Sequence, residues 1–314
     1  MSVKLLTRPV SLSRRLEMIV DLAGSGETVC DVGCDHAHVP IRLLQAGQYM
    51  RAIGMDILPG PLGKAAGNLA LYGMEDRIEL RLSDGMDALC ENEADTVVIT
   101  GMGGTMMQEI LLREPAKTRS VSKLVLGPQS DPDKVRLALR SLGFVIDEER
   151  ITFEDGKYYT ILRAVHAKAE GFLRKTPRGL TCRKAGTDGT ADSALPAGSL
   201  RAEENSAPDP SVSCGCGLFS DDIPESIRQE AEDLFGPVLL SRQDPVLKEY
   251  LVRQTAVLEK ILRSISLAIE NMGSGPEGED GVPCLADRHL TRKAQIEHSL
   301  VVFRAALTVY GSSC

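Results

Sequence analysis

Within six residues, Asp31-Val32-Gly33-Cys34-Asp35-His36, the chain sets two carboxylates and an imidazole around a glycine. Further on stand Asp56 in Gly54-Met55-Asp56-Ile57, Asp84 in Ser83-Asp84-Gly85, and the glycine-rich Gly101-Met102-Gly103-Gly104. Ionised carboxylates only accept hydrogen bonds, so such acids suit a ligand rich in donors or positive charge. Where the dinucleotide fingerprint G-x-G-x-x-G needs its second glycine, this chain has Asp35 followed by His36. A pyrophosphate would meet a carboxylate there. The sequence therefore argues against a phosphate cradle and for a ligand that is cationic or carries an ammonium group. S-adenosylmethionine is one such ligand, although Asp-x-Gly alone is also compatible with an ordinary strand-to-helix turn.

These residues need a scaffold that brings them to one edge. Thr28–Val32 is a β-rich apolar run that reads as a buried strand, Gly33 as a tight turn, and residues 38–46 as a helix. This is the ligand corner of a doubly wound α/β sheet, where ligands sit beyond the carboxyl ends of the strands. Residues 51–57 form a predicted second strand whose terminal Asp56, 25 residues after Asp31, could accept from both hydroxyls of a ribose. A helix over 61–71 and a third strand over 77–82 bring Asp84 to the next strand end, within reach of an adenine amino group or serving simply as a turn aspartate. Residues 94–100 read as a buried fourth strand, and the three glycines after it leave room for something flat or bulky. A short fifth strand (123–126), a helix (132–142) and a hairpin (144–153 with 157–165, turning at Glu154-Asp155-Gly156) complete the pattern. Such an ending fits the seven-stranded sheet of methyltransferases better than a dehydrogenase, which would continue with βα units. Ahead of the sheet, residues 11–22 are amphipathic through Leu12, Leu16, Ile19 and Val20, with Ser11 or Ser13 as cap.

The 314 residues are 43% apolar and 25% charged, enough for one sizeable core and an appendage. No signal peptide is recognisable and no apolar run approaches the roughly 20 residues that span a bilayer; a soluble, cytoplasmic protein is expected. The eight cysteines contain no C-x-x-C pair, so reduced thiols are expected, and Cys214-Gly-Cys216 lacks the second pair or histidine that a metal site would need. The net charge of −8 is uneven: −4 over residues 1–165, +1 over 166–217 and −5 over 218–314. What matters for a phosphate-bearing partner is a local patch, and residues 1–20 hold Lys4, Arg8, Arg14 and Arg15 against Glu17 alone. From 166 to 217, glycine, proline, serine and threonine dominate and Phe172 is the one aromatic, so this stretch is expected to be a disordered insertion. Residues 223–234, 245–272 and 285–309 read as helices, the last two folding back as an antiparallel hairpin. The expected division is 1–165, 166–217 and 218–314.

Asp31-Val-Gly-Cys-Asp-His-Ala-His-Val-Pro40, Gly-Met-Asp-Ile with Gly60-Pro61-Leu62, Ser-Asp-Gly, Gly-Met-Gly-Gly and Phe235-Gly-Pro-Val-Leu-Leu240 together resemble the bacterial tRNA (adenine-N1)-methyltransferases that modify adenine 22, the TrmK family. The resemblance implies a Rossmann-like seven-stranded class I methyltransferase sheet with a C-terminal coiled-coil-like helical hairpin, S-adenosylmethionine as methyl donor and tRNA as substrate. Carried over by position, it places Asp31, Gly33 and Asp35 on the methionine side of the cofactor, Asp56 with Ile57 at the ribose, Asp84 with Gly85 at the adenine, and Gly101 nearby. Met102 and Gly103 would border the transferable methyl. Where Leu-Gln-Pro-Asn is expected after strand five, this chain has Leu126-Gly127-Pro128-Gln129, and Gln129 joins Arg8, Arg14 and Arg15 as candidate substrate contacts.

The chemistry follows from the base. Adenine N1 has an in-plane lone pair and needs no deprotonation before it attacks a sulfonium methyl, but its ring becomes cationic. Asp35 and His36 are candidates to stabilise that charge, although both histidines of the loop could equally be held by backbone carbonyls. The loop after strand four lacks the Asn/Asp-Pro-Pro-aromatic pattern of exocyclic amine methylation, which favours a ring nitrogen. Two rival readings share parts of this evidence: a methyltransferase acting on a small molecule or another RNA, and a non-catalytic protein that binds partners through its helical hairpin.

Overall fold

The computed structural model describes residues 8–166, 218–220, 222–271 and 285–311. The predicted insertion at 166–217 thus lies, beyond His166, outside the described residues. Seven strands form one sheet: β1 (Thr28–Val32), β2 (Arg51–Asp56), β3 (Ile78–Leu82), β4 (Thr96–Thr100), β5 (Lys123–Gly127), β6 (Phe144–Glu154) and β7 (Lys157–His166), in the order β3-β2-β1-β4-β5-β7-β6. The first five are parallel, while β7 runs antiparallel to β5 and to β6. The chain reverses direction across the sheet between β1 and β4, which opens a crevice at their carboxyl ends.

Helices cover both faces, and so the central strands are apolar throughout. On one face Val32, Met55, Ile99 and Leu126 pack under α4 (Gly104–Arg113) and α6 (Pro132–Ser141), which bring Met107, Leu111, Val135 and Leu139. On the other, Val29, Val98, Val125 and Ile161 meet α1 (Arg14–Ala23), α2 (His38–Gln45) and α3 (Pro59–Tyr72) through Ile19, Val20, Ile41 and Leu69. Ser13 occupies the position before α1, yet its hydroxyl makes no capping bond. A short helix, α5 (Pro115–Ser120), follows α4; neither was anticipated. The β6–β7 turn uses Asp155 and Gly156 at φ 50° and 81°, the left-handed pair that a two-residue hairpin requires.

The C-terminal helices α7 (Glu225–Phe235), α8 (Pro237–Ser241), α9 (Pro245–Asn271) and α10 (Leu285–Thr308) build a third core with Ile151 of β6. Tyr310, just past α10, donates from its hydroxyl to the Asp244 carbonyl ahead of α9 (3.1 Å), so α9 and α10 run antiparallel as expected. Where β6 meets these helices lies a fully buried ion pair, Arg136 Nε to Glu149 Oε1 at 2.8 Å. A bulge between Ile146 and Glu148 adds one residue and so turns Glu149 to the face that Phe144 and Ile146 occupy. Arg136 Nη1 donates to the last-turn carbonyls of α7, Asp233 and Leu234, at 2.7 and 3.1 Å. Glu149 Oε2 accepts from the first N–H groups of α8, Val238 and Leu239. Gly236 sits at φ 95° where a Cβ would lie 2.3 Å from that oxygen, so the Phe-Gly-Pro-Val-Leu-Leu motif is a docking joint between sheet and helices.

Cys30 and Cys34 are free and buried. Cys90 is disulfide-bonded, which corrects the expectation that every cysteine is a reduced thiol. No described helix is long and apolar enough to cross a membrane.

Candidate functional site

At the end of β1 the backbone N–H groups of Gly33 and Cys34 both donate to the Met55 carbonyl of β2, at 2.8 and 2.9 Å. Gly33 adopts φ 77°, and a Cβ there would lie 2.5 Å from Met102 Cε. The loops after β1 and β4 are therefore in contact through Gly33 and Met102. Asp56 holds the corner together: its Oδ2 accepts from the Asp35 N–H (3.3 Å) and its Oδ1 from the Leu58 N–H (3.0 Å). Asp35 and Ala37 both take left-handed conformations, φ 46° and 56°. Each costs roughly 1–3 kcal/mol and persists because neighbours hold it.

Asn68 of α3 supplies part of that hold, donating to the His36 carbonyl at 2.9 Å and lying 3.3 Å from His38 Nε2. The His36 and His38 rings stack with centroids 5.4 Å apart, and His36 Nε2 is 3.5 Å from Asp35 Oδ2. Burial, with the neighbouring His36, lowers the His38 pKa. An uncharged His38 can then accept from the Asn68 amide.

Asp31 is 3% exposed, and burial, aided by the neighbouring Asp56 carboxylate, raises its pKa to about 7. In the unligated fold Asp31 keeps its proton up to about pH 7, whereas the unfolded chain releases it near the ordinary aspartate value of 3.8. The native state thus binds the extra proton between those limits, and stability falls as pH rises through that window. The melting temperature of the unligated protein should drop between pH 4 and 7, and Asp31→Asn should flatten this part of the profile. An unaltered slope in Asp31→Asn would remove Asp31 as its cause.

Along the edge, Asp84 is exposed and lies 3.2 Å from Arg113 of α4, which also bridges to Asp87. Ser83, buried, accepts the Ala88 N–H and donates to the Gly85 carbonyl, fixing the turn. Gly85 is left-handed at φ 59° with Ile110 against it.

The glycines after β4 require a correction. Gln129 N–H donates to the Met102 carbonyl (2.9 Å) and Gly104 N–H to the Ser130 carbonyl (2.8 Å), joining the loops after β4 and β5. A Cβ on Gly104 would stand 2.0 Å from the Asp131 carbonyl oxygen, and one on Gly103 3.0 Å from Ser130 Oγ. The space at Gly104 is taken by the backbone of residues 130–131 rather than left for a ligand, while Gly103 meets only the Ser130 hydroxyl. Gly101, at φ 79°, has only the Gln129 amide near it, at 3.9 Å from the would-be Cβ.

The structure thus gathers Asp31, Gly33, Asp35, His36 and Asp56 from β1 and β2, and Gly101, Met102, Gly103 and Gln129 from β4 and β5. Ile57 follows β2, exposed at 59%. Of the basic residues at the start, Lys4 lies outside the described residues. The Arg8 carbonyl accepts from Gln45 at the end of α2, whereas the Arg15 N–H donates to Glu154 at the β6–β7 turn. Arg14 is exposed beside it. Arg113 and Asn68 were missed; their partners are strand-end loops that no local pattern announces. Among the described residues no cluster of three or more His, Cys, Asp or Glu could hold a metal ion.

Residues 12–162 match the methyltransferase domain family. The chain is 30% identical over 155 residues to the tRNA (adenine(22)-N(1))-methyltransferase of Bacillus subtilis, and the match spans 49% of this chain and 65% of that protein. Among solved structures it is similar to the B. subtilis M1A22 tRNA methyltransferase TrmK (20% identity, 95% of this chain and 99% of that one, TM-score 0.65). It is also similar to M. capricolum TrmK in complex with S-adenosyl-homocysteine (20% identity, 95% and 98%, TM-score 0.62). At that identity the two structures carry the fold.

Proposed function

We propose that the chain is a class I methyltransferase of the TrmK kind, which transfers a methyl group from S-adenosylmethionine to N1 of an adenine in tRNA, position 22 as in the B. subtilis relative. The observation that carries this reading is the acid-lined corner at the ends of β1 and β2. Asp31 is an acid buried at 3% exposure, and burial, aided by the neighbouring Asp56, raises its pKa. Such a pair is costly alone and is relieved by a donor-rich cation, which fits this cofactor and opposes a pyrophosphate.

The cofactor, when bound, supplies an electrophilic methyl on a sulfonium. Asp31 and Asp35 would meet its ammonium end with the Gly33 backbone, Asp56 with Ile57 its ribose, and Asp84 with Gly85 and Gly101 its adenine side. Met102 and Gly103 would flank the point of transfer. Because N1 brings its own lone pair, the residues around it need only align the base and offset the charge its ring acquires. Asp35 and His36, on the loop after β1, would serve that end, and Gln129 would offer an amide able to read an adenine edge. Arg8, Arg14 and Arg15 are proposed to meet the RNA. Residues 1–165 would form the catalytic unit and 218–314 a helical unit, with 166–217 between them. The proposed tRNA substrate favours a cytoplasmic reaction, and the attack of N1 on the methyl calls on no metal.

Mass spectrometry of tRNA nucleosides after incubation with protein and labelled cofactor should reveal 1-methyladenosine; its absence with a panel of intact tRNAs would defeat the reading. Asp56→Ala should weaken cofactor binding by about 1.5–3 kcal/mol in calorimetry, the range for hydrogen bonds to a charged acceptor.

A further inference from the structure

The β6–β7 hairpin extends well past the rest of the sheet. Leu126 of β5 pairs with Leu162 of β7, so Gly127 at the end of β5 stands level with Ile161. Residues 157–160 and their β6 partners then project about 13 Å beyond the carboxyl edge, at roughly 3.3 Å per residue. That is the edge at which the candidate site opens.

Adjacent pairs on this projection, Thr152 with Tyr159 and Phe153 with Tyr158, face opposite sides because successive side chains alternate. On one side the Arg15 guanidinium of α1 lies over the Tyr159 ring, 4.6 Å from its centroid. On the other, the Arg253 guanidinium of α9 lies 5.8 Å from the Phe153 centroid, with Phe153 41% exposed. Among the described residues neither guanidinium has a carboxylate within 4 Å, in contrast to Arg81, Arg113, Arg140, Arg163 and Arg242, which are paired. Lys157 at the turn and Arg14 beside Arg15 are exposed and likewise unpaired among the described residues. Glu154 is the nearest acid on the α1 side, and its Oε2 accepts the Arg15 backbone N–H. On the α9 side Glu249 accepts the Tyr158 hydroxyl.

We propose that this hairpin tip, with Arg15 stacked on Tyr159, Arg253 stacked on Phe153 and Lys157 at its end, is the surface that grips the RNA backbone next to the target adenine. The inference rests on the tRNA reading and deepens it by assigning the contact. A chain of net charge −8 repels RNA at long range, so binding needs a local cluster of cations that carboxylates have not neutralised. Guanidinium groups on aromatic rings present a planar cation that matches phosphate oxygens and stacks on unpaired bases. The blade also draws on both ends of the chain, since α1 and α9 each contribute one stack, which ties recognition to the docking of the C-terminal helices.

The test measures binding of intact tRNA, by filter retention or anisotropy across a salt series, for the full chain and for Arg15→Gln, Lys157→Gln, Arg253→Gln and the triple variant. Arg51→Gln, at the opposite edge of the sheet, is the charge-matched control. Each single variant should reduce the slope of log affinity against log salt by about 1, and the triple variant should lose tenfold or more in affinity at moderate salt. Cofactor affinity by calorimetry should not change. Variants that bind tRNA like the unaltered protein, or losses matched by Arg51→Gln, would overturn the assignment while methylation by the unaltered protein keeps the tRNA reading intact. Variants that lose binding when the unaltered protein binds but does not methylate would sustain the surface and remove the reaction. An unaltered protein that does not bind tRNA would overturn both.

Discussion

Replacing Glu149 with alanine is expected to lower the unfolding free energy by about 3–5 kcal/mol, the cost of breaking a buried ion pair from one side. The carboxylate is fully buried and serves three partners: Arg136 Nε at 2.8 Å and the N–H groups of Val238 and Leu239 at 2.9 and 3.3 Å. Its loss strands the Arg136 cation, 2% exposed, and leaves two helix-start donors dry. Urea denaturation followed by circular dichroism gives the number directly. Pairing Glu149→Leu with Arg136→Met should recover part of the loss, since apolar replacement of both charges is often tolerated. Recovery should stay incomplete, because Val238, Leu239 and the carbonyls of Asp233 and Leu234 would remain without partners. A loss under 1 kcal/mol for Glu149→Ala would mean that water reaches the joint.

The second large effect is expected at Gly104. An alanine Cβ there would sit 2.0 Å from the Asp131 carbonyl oxygen and 2.7 Å from that of Ser130, both backbone atoms that no rotamer change can move. Relief requires the loop after β5 to part from the loop after β4, breaking the Gly104–Ser130 and Gln129–Met102 hydrogen bonds. Overpacking of this kind costs up to about 3 kcal/mol and more when backbone must shift. Since the same two loops carry Met102, Gly103 and Gln129, cofactor affinity and turnover should fall with stability. Gly103→Ala is the contrasting variant: its Cβ would meet the movable Ser130 hydroxyl at 3.0 Å, so a milder effect is expected. Equal stability and turnover for Gly104→Ala and the unaltered protein would show that the two loops are not held together as described.

Comparison of these two sites shows what the chain makes legible and what it does not. The strand ends bearing Asp31, Asp56 and Asp84 could be placed because buried parallel strands are continuous apolar runs, and the acids interrupt or end them. The hairpin turn at Asp155-Gly156 was readable for a similar local reason. By contrast, α4 carries Met107, Ile110 and Leu111 at helical spacing but begins directly at Gly104, so the glycines masked its start. The five-residue α8 is too short for any period. The role of Gly104 depends on residues 130–131, and that of Glu149 on residues 233–239, and nothing in a local window reports a partner so far away. Arg136 and Glu149 look like surface charges in sequence because buried ions are rare. The bulge that turns Glu149 inward is visible only in the pairing of β6 with β7.

The position of α1 bears on how the chain is made. Its buried face, Ile19, Val20, Leu22 and Ala23, packs into a core completed by Val125 and Ile161. Its first turn is tied to Glu154 across 139 positions of sequence. During synthesis at about 5–20 residues per second, α1 leaves the ribosome roughly 7–28 s before the strands that cover it. For that interval the side of α1 that Val125 and Ile161 cover stays exposed on the nascent chain, which makes it a natural resting place for a chaperone before the last strand pair closes over it.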